Sequence, residues 1–559
     1  MDNVSTADTR KRQPVFPSRL LQVFGKTEGA EKLLTEKPLQ IAVREPLLTV
    51  LENGEEEQAG VLLDFGRELH GSVRLLTHFI EGESPASVRV TMGESVAEAM
   101  SSIGVKNATN DHAARDVTVS VPALSDMTLP ESGFRFVCIR LCSAHTRLCI
   151  KAAVAVSIFR ELPYLGSFSC NDSLLNRIYD TAAYTCHLNL QQYIWDGIKR
   201  DRLVWAGDLH PEMLTVRTVF GRLPVLEDTL RFLRLQTPLP QFMNDYPTYS
   251  LWWLLTVHDW YLYTGDGSFL DENREYATAL AKMMAELVDE DGTDHLPMYF
   301  IDWPSYGKPQ EREASRALLA MALTASEELA KWCGNPQLAD LLHRKSDKLR
   351  ASSGVTYGSK PAAAMLALAG CIPQNRAADE ILHNGAEGFS TFMSYYLLKV
   401  AGTENMAATL SALRAYYGGM LEMGATTFWE DFDLSWKKNA APIDAPVPEG
   451  KRDIHGDNGD YCYKGFRCSL CHGWSSAPTA FLAEEVLGIR IAAVGCKEIC
   501  LRPQLGDLQW AKGTYPLPQG VLEVSCARSP DGSTAVKYTA PKNVTVRVEE
   551  CNETREFPK

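Results

Sequence analysis

With 559 residues, 45% of them apolar and 23% charged, the chain has a globular composition and exceeds what one hydrophobic core organises, so two to four domains are expected. A formal net charge of −14 speaks against a phosphate-backbone partner, which needs a basic face, so no nucleic acid is expected. No apolar run is long enough for a bilayer, and the basic residues near the N-terminus lack the apolar core of a secretory signal, so the chain reads as cytoplasmic with no membrane partner.

Up to about residue 30 the chain is polar and poorly patterned, which predicts a loosely attached arm over 1–30. Short alternating runs then fill 31–163, at 60–65, 71–76, 87–92, 117–121 and 134–141, with turn-formers such as Gly82-Glu83-Ser84-Pro85 between them. Such punctuation predicts an N-terminal accessory β-sandwich. Over 164–486 the period becomes helical. Leu174, Leu175, Ile178, Ala182 and Cys186 recur at three- and four-residue steps after Asn171-Asp172-Ser173, and Leu318, Met321, Ala325, Leu329 and Trp332 do so before Gly334-Asn335-Pro336. Further helices are expected at 249–264, 269–289, 336–351, 361–370, 389–402, 404–418 and 475–487. About a dozen helices fit an α/α toroid; a solenoid gives a similar pattern, but no fixed-period repeat favours it. From 487 to 559 strands return, at 489–494, 498–501, 520–526, 535–538 and 544–548, which predicts a C-terminal β-sandwich.

The richest segment is 193–213, where Asp196, Asp201 and Asp208 are interleaved with Trp195, Trp205, Lys199, Arg200 and Arg202. Carboxylates hydrogen-bond hydroxyls or move protons, and an indole covers the apolar side of a pyranose, so the run suits a sugar site. The plain alternative is a solvated segment with local ion pairs, Asp196 to Arg200 for example. Two tryptophans and two glycines in the same run weigh against it. The pairing of acid and aromatic recurs in Asn244-Asp245-Tyr246, Phe300-Ile301-Asp302-Trp303-Pro304 and Thr427-Phe428-Trp429-Glu430. Each alone is compatible with core packing or a turn, but loops on a rigid helical scaffold are where function concentrates.

Fourteen cysteines are too dilute for a disulfide scaffold, and most lie in apolar runs where a reduced thiol packs as a small hydrophobe. Cys468-Ser-Leu-Cys471-His472 is one pair without a second. It is read as two thiols on a helix beginning near Ser469 rather than as a zinc site, with His472 either bonding a sugar hydroxyl or serving as a satisfied structural histidine. No Walker loop, dinucleotide fingerprint or nucleophile elbow occurs.

Asp196-Gly-Ile-Lys-Arg-Asp-Arg-Leu-Val-Trp-Ala-Gly-Asp208 resembles the signature of the family 78 glycoside hydrolases, the α-L-rhamnosidases, usually Asp-Cys-Pro-x-Arg-Glu-Arg-x-Gly-Trp-x-Gly-Asp. The segments 424–430, 64–71, 133–137 and 503–513 are similar to further stretches of that family, in the same order, over roughly 35–540. The resemblance implies an (α/α)6 barrel (a six-hairpin toroid) flanked by N- and C-terminal β-sandwich domains, and a carbohydrate substrate; no metal or cofactor is expected, because paired carboxylates suffice for glycosidic cleavage. It implies Asp196 and Asp208 as substrate-binding aspartates and Glu430 as general base. Asp201 falls where the family has its general acid, normally glutamate. Gly197-Ile198 replaces Cys-Pro, and Val204 replaces glycine. Arg200, Trp205, Asp245, Asp302, Trp303, Trp429 and His472 complete the expected substrate-binding set. Aspartate is one methylene shorter than glutamate, which retracts its oxygens by about 1.5 Å, a displacement that can cost about a hundredfold in rate if uncompensated. Glu212 and His210 are the fallback acids. The reading is an inverting, exo-acting glycosidase for α-L-rhamnose or a related deoxy or uronic sugar. The alternatives are the same barrel acting on another sugar, and a sugar-binding protein that has lost catalysis at Asp201.

Overall fold

Gly60–Glu81, a strand of 22 residues, organises the N-terminal domain. It pairs with Arg19–Phe24, Ser132–Leu141 and Arg147–Phe159 in a ten-stranded sheet closed over a core that includes Val61, Leu63, Val88, Ile139 and Ile150. The structure, a computed structural model, describes residues 8–55 and 58–549. In the long strand the register slips between Asp64 and Leu69. Gly66 takes φ +87 there, Asp64 Oδ1 accepts both the Gly66 N–H at 2.7 Å and Arg135 Nε at 2.8 Å, and the bulge brings the Glu68 N–H to Thr426 Oγ1 in the helical domain at 2.9 Å.

The expected loose arm is corrected for its described part. Lys11–Val15 pairs with Ala155–Phe159 residues, and Arg19–Phe24 pairs with the long strand. Lys11–Val15 is largely exposed and Arg19–Phe24 mostly half-buried, so neither carries a clean apolar alternation to read. Residues 1–7 lie outside the described residues.

Among the described residues twelve helices run from Ser173 to Phe481, the last continued to Val486 by a wider turn, in antiparallel pairs around a common core. Their starts obey local chemistry: Asp172, Asp266, Asn335 and Asn405 cap free amides, and proline opens Pro224–Gln236, Pro247–Thr264 and Pro309–Trp332. Pro247–Thr264 buries Trp252, Trp253 and Trp260 on all sides, as an inner helix must.

The C-terminal domain has one sheet in the order Ser167–Cys170, Trp510–Leu517, Gly520–Arg528, Thr534–Thr539 and a second of Ile489–Ile491, Glu498–Leu501 and Thr545–Val548. Ser167–Cys170 therefore belongs to the C-terminal sheet and not, as the expected bounds 164–486 have it, to the barrel. Four residues with one buried aromatic offer no pattern, and only the backbone ladder to Ala511–Thr514 reveals the pairing. No helix of the described residues is long and apolar enough to cross a membrane.

His258 supplies a pH-dependent brace between helices. Burial alone lowers its basicity, yet Asp259 (2.8 Å) and Glu328 (3.1 Å) hold it up to about 9. The folded value exceeds the unfolded one, so the stabilisation is complete below the unfolded value of 6.5 and is lost as pH rises through about 9. On the order of 3 kcal/mol is at stake. Melting temperature should fall from about pH 7 to about pH 10, and His258→Gln should flatten that fall; an equally steep fall in the variant would contradict the assignment.

Candidate active site

The loop from Asp196 to Leu203 is folded by its own first residue. Asp196 Oδ1 accepts the Leu203 N–H at 2.9 Å, and the Asp196 N–H donates to the Leu203 carbonyl at 3.1 Å. Within it Asp201 and Arg202 take φ +56 and +55, the left-handed region, at about 1–2 kcal/mol each. Such strain persists where surroundings impose it. Here His112 of the N-terminal domain accepts the Asp201 N–H at 2.8 Å, and Arg202 donates outward to the Glu131 carbonyl at 3.1 Å and lies over Trp195.

Arg200 points the other way. Its Nη1 donates to Asp201 Oδ1 at 2.8 Å, its Nη2 donates to Glu430 Oε1, and its Nε donates to the Arg467 carbonyl at 3.0 Å. One buried guanidinium thus joins the two carboxylates that the sequence nominated for proton transfer. Burial works against its charge, but Glu430 and Asp201 hold it firmly protonated. Glu430 is fixed from its other side. Ser469 N–H donates to Glu430 Oε2 at 2.8 Å, the Glu430 N–H returns to the Ser469 carbonyl at 2.8 Å, and Trp474 Nε1 donates to the Glu430 carbonyl at 3.0 Å.

His472 stands among three carboxylates, 3.8 Å from Asp196, 3.6 Å from Asp208 and 3.7 Å from Glu430. Burial, and then the Arg200 charge, push its basicity well below that of a free imidazole, so it is a neutral ring. Asp196 and Asp208 are pushed well above the usual carboxylate range by burial first. Asp201 and Asp208 add to this at Asp196, and Glu430 and Asp201 at Asp208. Asp208 Oδ1 and His472 Nδ1 are buried without hydrogen-bond partners. Buried polar atoms left open in a concave site are the groups a polyhydroxylated ligand satisfies.

These side chains line a pocket of about 210 Å³, walled by Trp205, Tyr246, Tyr249, Phe300, Trp303, Tyr463 and Trp474. Gly207 of the motif is required by that wall: a Cβ there would lie 2.6 Å from the Tyr249 ring. Glu212 is excluded from it. Its carboxyl packs where a Cβ on Gly473 would sit, and burial, then Asp208 and Asp196, keep it strongly protonated.

Of the expected residues, Asp196, Arg200, Asp201, Trp205, Asp208, Trp303, Glu430 and His472 share the pocket. Three do not. Asp245 is exposed, in a left-handed turn. Asp302 turns inward to cap Ser305 N–H at 3.1 Å and accept from Ser390 Oγ at 2.9 Å. Trp429 is buried against Phe432. In each case the adjacent residue, Tyr246, Trp303 or Glu430, is what reaches the pocket. The fallback His210 faces a second cavity, bonded to Tyr396 (2.8 Å) and Asp259 (3.3 Å). The helix expected from Ser469 is absent: Gly197 bridges His472 in extended form, and only Gly473–Ser476 turns. Extended, the segment points Cys471 at Thr185 and Asn189 and His472 into the pocket. Tyr463, Arg467 and Trp474 were missed. Tyr463 and Arg467 lie in a stretch of short turns without periodicity, and Trp474 had no adjacent acid to mark it.

Residues 163–365 match the model of the bacterial alpha-L-rhamnosidase six-hairpin glycosidase domain, and residues 488–556 match that of the bacterial alpha-L-rhamnosidase C-terminal domain. Two stretches of the chain are thus similar to domains of the bacterial α-L-rhamnosidases. Solved rhamnosidases share its fold. A family 78 rhamnosidase of a Bacillus species superposes with TM-score 0.75 at 21% identity over 93% of this chain and 55% of its own. A Klebsiella oxytoca rhamnosidase with rhamnose bound gives 0.64 at 18% over 85% and 96%. The Streptomyces avermitilis enzyme complexed with L-rhamnose gives 0.65 at 17% over 88% and 48%. This chain thus spans little more than half the length of the Bacillus protein. None of the curated proteins compared with it matches.

Proposed function

We propose that the chain is an exo-acting, inverting glycoside hydrolase that releases a terminal α-L-rhamnose from a glycoside, with Asp201 as general acid and Glu430 as general base. The observation that carries this is the single guanidinium of Arg200 holding both carboxylates at one pocket. Inversion needs one carboxyl at the leaving oxygen and another activating water on the opposite face. Asp196, Asp208 and His472 offer hydroxyl partners on the pocket floor, and the aromatic walls cover a ring's apolar side. At about 210 Å³ the pocket is smaller than the ~300–1,000 Å³ typical of drug-sized ligands, which suits one terminal ring. Same-fold rhamnosidases that hold rhamnose support the choice of sugar. General acid and base chemistry asks for no metal or cofactor. Thirteen described cysteines without a disulfide support work in a reducing compartment such as the cytoplasm.

The deciding experiment is turnover of a panel of aryl glycosides. Cleavage of the α-L-rhamnoside with the β-anomer formed first supports the proposal, whereas the α-anomer first overturns inversion. Cleavage of another sugar alone replaces the substrate, and binding of L-rhamnose without any turnover leaves a sugar-binding protein.

A further inference from the structure

Behind the pocket lies a buried charge cluster that the proposed reaction does not use. The liganding atoms of Glu94, Glu98 and His455 fall within 4.8 Å of one another, a spacing that suits a metal ion. A cation of the chain already occupies this space. Lys199 Nζ lies 2.8 Å from Glu94 Oε2 and 3.3 Å from Glu98 Oε1, and donates to the Phe466 and Cys468 carbonyls at 2.9 and 2.7 Å. Glu94 and Glu98 belong to the N-terminal β-domain, and Lys199 to the motif loop. A buried ion pair adds little stability over well-packed apolar residues, so the cluster calls for another use.

The outward bonds of Glu94 supply one. Leu470 N–H donates to Glu94 Oε2 at 2.6 Å, and Ser469 Oγ donates to Glu94 Oε1 at 3.3 Å. The same Ser469 grips Glu430, its N–H on Oε2 at 2.8 Å and its carbonyl on the Glu430 N–H at 2.8 Å. We propose that Glu94 of the N-terminal β-domain is a positioning residue for the general base, fixing the Glu430 carboxylate through the Ser469–Leu470 backbone. The accessory domain is then part of the catalytic apparatus. This inference rests on Glu430 being the base.

Glu94→Ala should lower kcat about ten- to a hundredfold while KM stays within about twofold, because substrate groups are untouched and the base is misplaced. Glu94→Gln keeps a carbonyl for the Leu470 N–H and should recover most of the loss. In a Glu430→Gln background, Glu94→Ala should cost less than about twofold more, since residues acting as one unit are not additive. Hydrogen exchange by mass spectrometry on the peptide spanning 466–472 should quicken in Glu94→Ala and not in Glu94→Gln. Unchanged kcat and unchanged exchange in a folded Glu94→Ala overturn the inference. So does an undiminished effect in the Glu430→Gln background, or a kcat loss matched by the loss of folded protein. If the wild type turns over no glycoside, the reading of Glu430 as base fails, and the exchange result alone decides whether Glu94 holds the segment.

Discussion

Asp201→Asn should slow hydrolysis of natural rhamnosides by about 10²–10⁴-fold, the usual worth of a general acid, and slow activated aryl rhamnosides far less. An activated leaving group departs with little protonation, so only the poor leaving group needs the carboxyl proton. Glu430→Gln should impair both classes alike, because water must be activated in either case. The measurement is kcat/KM for each variant across glycosides of graded leaving-group acidity. A steep dependence in Asp201→Asn, against a parallel shift in Glu430→Gln, separates the roles. Glu212→Gln should show no such selectivity, because Glu212 packs against Gly473 outside the pocket wall. Equal losses on all substrates in Asp201→Asn would show that Asp201 only anchors Arg200.

The structure also explains why some of this was legible in the sequence and some was not. Helical periodicity in Ser173–Asn189 and Pro309–Trp332 reflects one face buried and one solvated, a pattern that local sequence records directly. Lys11–Val15 and Ser167–Cys170 are held by ladders to strands more than a hundred residues away, and backbone pairing of exposed or very short segments leaves no side-chain trace. At the site, the motif acids were legible because their spacing is local. Asp302 and Trp429 misled for the converse reason: acid–aromatic adjacency marks a loop near the pocket, but which of two neighbours turns inward is decided by partners such as Ser390 and Phe432. His112 and Glu94 reach the site from another domain, and nothing in their own surroundings points to it.

Asp208→Asn should stabilise the fold while disabling the site. Asp208 is buried, its Oδ1 has no hydrogen-bond partner, and its nearest imidazole atom is 3.6 Å away. Burial first, and then Glu430 and Asp201, raise its carboxyl well above the usual value of 3.8. A folded-state value above the unfolded one means that ionisation favours the unfolded chain. The penalty is absent while both states are protonated, below the unfolded value, and grows as pH rises towards the folded value. Asparagine removes that penalty, so its benefit should be near zero at about pH 4 and grow steadily towards about pH 7. Calorimetric melting of both proteins across that range checks the slope. Activity should move the opposite way, falling about a hundredfold or more, because a site built to bond a substrate hydroxyl loses its acceptor where an amide nitrogen replaces the oxygen. A variant that is destabilised equally at both pH values would mean that the folded carboxyl is ionised and paired. The open atoms of Asp208 and His472 would then belong to the fold, and the sugar would have to be held by the aromatic walls and Arg200.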